Sequence, residues 1–146
     1  MREFNALKDY PQPKEPRIVG PDIRTIKSRI IASYRGKEYY DGDRKNGYGG
    51  FHYDGRWKKI VDFMCKEYNL DENSSILQIG CEKGFLLHDF HEKFPRMKIR
   101  GTDISDYAIK NSMPSIRTCV QKAPFTELPF KDHEFDFVMA IGVVYT

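Results

Sequence analysis

The sequence predicts an α/β chain with a parallel sheet, and two observations carry that expectation. From residue 75 onward, short apolar runs alternate with helical patterns, the rhythm of strands joined by right-handed crossovers. The first of these runs, Ile76–Ile79, ends in a glycine turn, Gly80 to Gly84, that opens a helix. The first 74 residues lack that rhythm and read as an extension. The expected division is therefore 1–74, an arm with two helices and a Gly/Tyr-rich loop, and 75–146, the alternating strands and helices.

The elements follow in order. Pro11, Pro13, Pro16 and Pro21 deny residues 1–21 helix and ladder bonds. "PDIRTIKSRIIASYRG" reads as a helix capped by Asp22, with Ile23, Ile26, Ile30, Ile31 and Tyr34 at helical spacing and Gly36 ending it. Six of the 11 glycines and five of the nine tyrosines then lie between Tyr34 and Gly55, which marks a loop able to approach a ligand closely. Asp54 is placed to cap a second helix, in which Trp57, Ile60, Val61, Met64, Cys65 and Tyr68 form an apolar stripe. Beyond it, "SILQIG" is a strand and residues 84–94 a helix with Leu86, Leu87, Phe90 and Phe94 on one side. "MKIRGTDI" is a second strand, "SDYAIKNSM" a short helix capped by Ser105, "IRTCVQ" a third strand and "FDFVMAIGVV" a fourth.

Composition bounds the function. With 146 residues, 40% hydrophobic and 14% aromatic, the chain can bury a core and is not of disordered composition. No run reaches membrane-span length. Cys65, Cys81 and Cys119 are odd in number and lack a CxxC pair, as expected of reduced thiols in a cytoplasmic protein. Residues 1–60 carry 14 Lys+Arg against 8 Asp+Glu, and residues 61–146 carry 10 against 13. The basic half reads as a solvated face, since no basic run is dense enough to form a nucleic-acid tail.

The turn itself selects a ligand. A dinucleotide site uses G-x-G-x-x-G so that backbone and helix N-terminus can meet a pyrophosphate. Here Glu82 and Phe85 replace the second and third glycines. A carboxylate against a phosphate at ~4 Å costs about 4 kcal/mol per charge pair at an effective dielectric near 20. A cofactor carrying positive charge and no phosphate avoids that penalty, and S-adenosylmethionine is such a cofactor. Asp103, 23 residues after Gly80, can accept both hydroxyls of a ribose.

Three motifs in order then resemble a class I, Rossmann-like S-adenosylmethionine-dependent methyltransferase of the methyltransferase type 11 kind: "ILQIGCEKG", "GTDIS" and "LPFKDHEFDFV". By matching position, the resemblance implies that Gly80, Cys81 and Gly84 wrap the methionine part and that Asp103 holds the ribose. It likewise implies that Ile104 packs on adenine, that Ala123 lies at the adenine edge and that Ile141 lines the pocket. There are departures. Gln78 replaces a carboxylate at the end of the first strand, and Glu82 is a candidate to restore that charge. Lys122 replaces an acceptor for the adenine amino group. The resemblance also implies a seven-stranded sheet, of which four strands are present, so the chain reads as truncated, with an apolar fourth strand at its edge.

The remaining candidates are weaker. His88 and His91 lie off the helix's apolar face and lack a third metal ligand. Cys81, though near a helix N-terminus, reads as packing rather than as a reactive thiol. No Ser/His/Asp order and no general base stand out. Tyr48 and Arg56, with Arg44, are candidates from a loop that can cover the cofactor. The expected function is methyl transfer from S-adenosylmethionine to an unidentified acceptor. A non-catalytic cofactor-binding module on the same fold is the alternative, and a nucleic-acid-binding adaptor the third reading.

Overall fold

The computed structural model describes residues 5–12, 20 and 24–143. Helices α1 (Ile26–Ser33), α2 (Lys37–Tyr40) and α3 (Lys58–Tyr68) precede strand β1 (Ser75–Ile79). Helix α4 (Phe85–Lys93), strand β2 (Lys98–Asp103) and helix α5 (Asp106–Lys110) follow, then a 3-10 turn over Pro114–Cys119 and strands β3 (Val120–Lys122) and β4 (Phe137–Ala140). The strands form one sheet of order β3-β2-β1-β4, parallel throughout. The order therefore reverses at β1, whose two neighbours are β2 and β4, and such a reversal opens a crevice at the strands' carboxyl ends.

Hydrophobic periodicity explains the packing. Ile60, Val61, Met64 and Cys65 of α3 are buried, as their spacing requires, and meet Leu86, Leu87 and Phe90 of α4 over Ile76, Ile99 and Met139 of the sheet. Gly101 of β2 leaves room for this layer: a Cβ there would stand 2.6 Å from Leu87 Cδ1 and 2.9 Å from Cys81 Sγ. Ser105 caps α5 as its sequence suggests, its hydroxyl accepting from Ala108 N–H at 3.0 Å.

Several elements differ from expectation. Helix α1 is capped by Thr25, whose hydroxyl accepts from Ser28 N–H at 3.2 Å, whereas Asp22 lies outside the described residues. Its apolar stripe faces outward: Ile26 is 78% exposed, Ile30 51% and Tyr34 76%. Gly36 does not end α1 but caps α2 through its backbone, with Arg35 at φ 48° making the bend. Asp54 does not cap α3, which starts from Trp57; its carboxylate accepts from Arg56 N–H at 3.1 Å and from the Arg56 guanidinium at 2.6–2.9 Å. The third strand is cut to Val120–Lys122, since Pro114 starts a 3-10 turn that consumes residues 114–119. Among the described residues β4 pairs only with β1, and Val138 is 52% exposed. No described helix is long and apolar enough to cross a membrane.

Gly84 joins β1's turn to α4 at φ +74°, and a Cβ there would lie 2.4 Å from Ile116 Cδ1. Both the left-handed backbone and the filled space oppose a side chain, so Gly84→Ala should cost about 2–4 kcal/mol in urea denaturation. Ile26→Ala, at an exposed site, should change stability by less than about 0.5 kcal/mol in the same measurement.

Candidate functional site

The turn after β1 is wound left-handed at every second residue: Gly80 at φ 70°, Glu82 at 52° and Gly84 at 74°. Glu82 thus adopts the conformation for which the middle glycine of such a turn is normally chosen, at a cost of about 1–2 kcal/mol to a residue with a Cβ. Three bonds hold the turn in place. Cys81 N–H donates to Thr102 O at 2.9 Å, Gly84 N–H to Cys81 O at 2.8 Å, and Glu82 N–H to Asp103 Oδ2 at 2.8 Å. Asp103 Oδ1 accepts from Ser105 N–H at 2.8 Å. The carboxylate that ends β2 therefore fastens the turn of β1 beside it while each oxygen keeps lone-pair capacity.

Above this edge lies a cavity of about 490 Å³, within the size range of small-molecule and cofactor sites. Ile79, Gly80, Asp103, Ile104, Ala123 and Ile141 line it from the sheet, with Glu82 from the turn. Arg35, Tyr39, Tyr40, Tyr48 and Phe51 line it from the extension, and Leu7, Tyr10 and Trp57 also contribute. Of the residues singled out in the sequence, the structure brings together Gly80, Glu82, Asp103, Ile104, Ala123, Ile141 and Tyr48. The others stand back. Cys81 is buried in the core, where burial above all, then the Asp103 charge, pushes its thiol up, so it packs and is not a poised nucleophile. Gly84 opens α4. Gln78 is buried in the sheet, and its Oε1 finds no hydrogen-bond partner among the described residues. Arg56 is tied to Asp54 and to the Tyr10 hydroxyl, and Arg44 to the carbonyls of Gly47 and Tyr48. The cavity's cation is instead Arg35, which the sequence reading missed; its only signal was a position beside Gly36.

The segment 41–53 is packed over the cavity. Tyr48 and Phe51 stack at 4.2 Å between centroids, and Phe51 stacks on Phe85, the first residue of α4, at 4.7 Å. Gly47 makes this possible: a Cβ there would sit 2.1 Å from Tyr39 O. Two phenols reach carboxylates, Tyr48 donating to Glu82 and Tyr53 to Asp89. A partly buried ion pair completes the attachment, with buried Lys83 Nζ 2.7 Å from both oxygens of half-buried Asp41. Removing one partner of such a pair strands a buried charge, typically at about 3–5 kcal/mol. Lys122, for its part, is paired on the surface with Asp106 at 2.5 Å.

Electrostatics separate the two acids at the junction of the segment 41–53 and the turn. Burial pushes the Glu82 carboxyl up to about 7, aided by the Asp103 charge and opposed by Tyr48 and Arg35. Burial would also raise Asp41, but hydrogen bonds from Lys83, Tyr107 and Phe51 N–H overcome it and lower the group to about 2. No cluster of three or more metal-ligating side chains exists among the described residues.

The signs of these shifts differ. Glu82 holds its proton more tightly folded than at its ordinary 4.5, so its contribution to stability falls as pH rises from about 4.5 to about 7. Asp41 is shifted below its ordinary 3.8, so its contribution is present above that value and is lost as pH falls toward about 2. Thermal melts of Glu82→Gln across pH 4–8 should lack the decline that the unmodified chain shows between about 4.5 and 7.

Comparison with known proteins adds to this geometry. The family model described as "Methyltransferase domain" matches residues 76–146. No curated protein matches the chain. Among solved structures, coclaurine N-methyltransferase, bound to N-methylheliamine and SAH, aligns with a TM-score of 0.50 at 16% identity, over 58% of this chain and 26% of its own. MccD protein aligns at 0.48 and 24% identity, over 53% of this chain and 37% of its own. A SAM-dependent methyltransferase from Aquifex aeolicus aligns at 0.46 and 20% identity, over 55% of this chain and 46% of its own. The chain thus spans less than half the length of each of these structures. Residues 76–146 are thus similar in sequence to a methyltransferase domain, and the chain shares its fold with a methyltransferase of known structure.

Proposed function

We propose that the protein takes part in methyl transfer from S-adenosylmethionine, and that the cavity above β1 and β2 holds that cofactor. One observation carries the reading. Two carboxylates, Glu82 and Asp103, converge on a single cavity at the strand-order reversal. The one ammonium of the turn, Lys83, is engaged with Asp41 instead of facing the cavity. Such a site repels a pyrophosphate and suits a ligand with a ribose and a cationic end.

Each residue then has a task. Asp103 accepts the ribose hydroxyls with the lone pairs left free by Glu82 N–H and Ser105 N–H. Ile104 and Ala123 offer apolar contact to a purine, and Ile141 closes the floor. Glu82 supplies the negative charge that Gln78 cannot, facing the ammonium and sulfonium end. Arg35 is the partner for the methionine carboxylate. Tyr48 orients Glu82 and, with Phe51, excludes water. When bound, the cofactor supplies an electrophilic methyl group. Such a transfer depends on proximity and alignment, so no conspicuous base is required. The segment 41–53 is read as the cover through which the ligand enters and leaves. The acceptor is a small or larger molecule that the described residues do not select. The free thiols of Cys65, Cys81 and Cys119 accord with a reducing, cytoplasmic setting.

Calorimetry tests the reading directly. S-adenosylmethionine and S-adenosylhomocysteine should bind measurably and NAD should not; tighter binding of NAD would overturn it. Asp103→Ala should weaken S-adenosylhomocysteine binding by about 1–3 kcal/mol through loss of charge-assisted bonds.

A second prediction concerns pH. A cationic ligand favours ionised Glu82, so affinity for S-adenosylmethionine should fall as pH drops below about 7. Titrations at pH 6 and 8 should show that dependence in the unmodified protein and lose it in Glu82→Gln.

A further inference from the structure

We propose that Asp41 and Lys83 are positioning residues for the cofactor, their ion pair locking the segment 41–53 to the turn 80–84 so that cover and turn move as one unit. This rests on the cofactor reading above. Asp41 is shared by three parts of the fold. Lys83 Nζ reaches both its oxygens at 2.7 Å, Phe51 N–H donates to Oδ1 at 3.1 Å, and the Tyr107 hydroxyl donates to Oδ2 at 2.7 Å. Lys83 also donates to Phe51 O at 3.0 Å, and its own carbonyl accepts from Met113 N–H at 2.9 Å.

The consequence is mechanical. Lys83 is 6% exposed beneath the segment, so lifting the segment away would break the ion pair and the bond to Phe51 O together unless Lys83 moved with it. Lys83 lies between two left-handed residues, Glu82 and Gly84. Any shift of its backbone is passed to Glu82 N–H, which holds Asp103, the residue assigned to the ribose. An apolar contact would close the cover equally well but would not tie it to the turn's backbone.

The test separates positioning from packing. The paired variant Asp41→Leu/Lys83→Met replaces the ion pair with apolar bulk, an exchange that often leaves stability unchanged. It should still melt cooperatively, a few degrees lower because Phe51 N–H and the Tyr107 hydroxyl lose their acceptor, yet bind S-adenosylhomocysteine tenfold or more weakly. Hydrogen exchange should rise together in residues 41–53 and 80–86. Unchanged affinity with unchanged exchange would overturn the proposal. Should the paired variant fail to fold, Tyr107→Phe, which removes one hydroxyl from the network, carries the same test. Its exchange should rise in both segments with a few-fold loss of affinity, and a rise in 41–53 alone would overturn the lock. If the unmodified protein binds no S-adenosylhomocysteine, the cofactor reading fails. The exchange comparison still decides the lock: a joint rise upholds it and a rise confined to 41–53 refutes it.

Discussion

The arrangement depends on one carboxylate. Asp103 stands at the end of β2 and takes the Glu82 N–H with one oxygen and the Ser105 N–H with the other. The first bond fastens the turn of β1 against β2. The second orients Ser105, whose hydroxyl caps α5 and donates to Arg35 O in the extension. Two buried strands, a helix start and the N-terminal segment are thus registered on a single side chain that also lines the cavity. A buried carboxylate is costly unless it is satisfied by donors, and here backbone amides supply them.

The extension is a working wall of the site. Its aromatic residues fill the space over the turn, from Tyr40, 1% exposed, through Tyr48 and Phe51 to Phe85. Aromatic rings bring large apolar area at little entropic cost, and the phenols carry a polar tip that can meet a carboxylate. Tyr48 and Tyr53 use that tip on Glu82 and Asp89. Local penalties gather at the same place: Glu82 is both left-handed and buried. A fold that tolerates strain and a displaced titration at one residue usually does so where a ligand must be met.

Charge placement sets what the cavity can accept. Glu82 and Asp103 face it, while Lys83, Arg44 and Arg56 are engaged by Asp41, by loop carbonyls and by Asp54. Arg35 lines the cavity at the rim between α1 and α2, its guanidinium donating to the Tyr39 hydroxyl at 2.7 Å. An aqueous cation such as a solvated lysine could have moved to screen a phosphate; a lysine committed to a buried pair cannot.

Features set by neighbours close along the chain could be read from the residues alone. The apolar period of α3, the strand–turn–helix after Ile76, the Ser105 cap and the aspartate closing β2 were all legible, because their physics acts within about four residues. Tertiary structure decided the rest. Periodicity marked Ile26, Ile30 and Tyr34 as one face of α1 but could not say whether anything would cover it, and they are exposed. "IRTCVQ" has strand composition, yet Pro114 and the reach of β2 leave only Val120–Lys122 to pair. That Arg35 and not Arg44 or Arg56 reaches the cavity follows from where the partners lie: Tyr39, itself in the cavity wall, holds Arg35, while Gly47 and Asp54 hold the other two outside it. The pairing of Asp41 with Lys83 joins residues 42 apart. No local rule sees across that distance, because the bond exists only once the sheet and the extension have packed together.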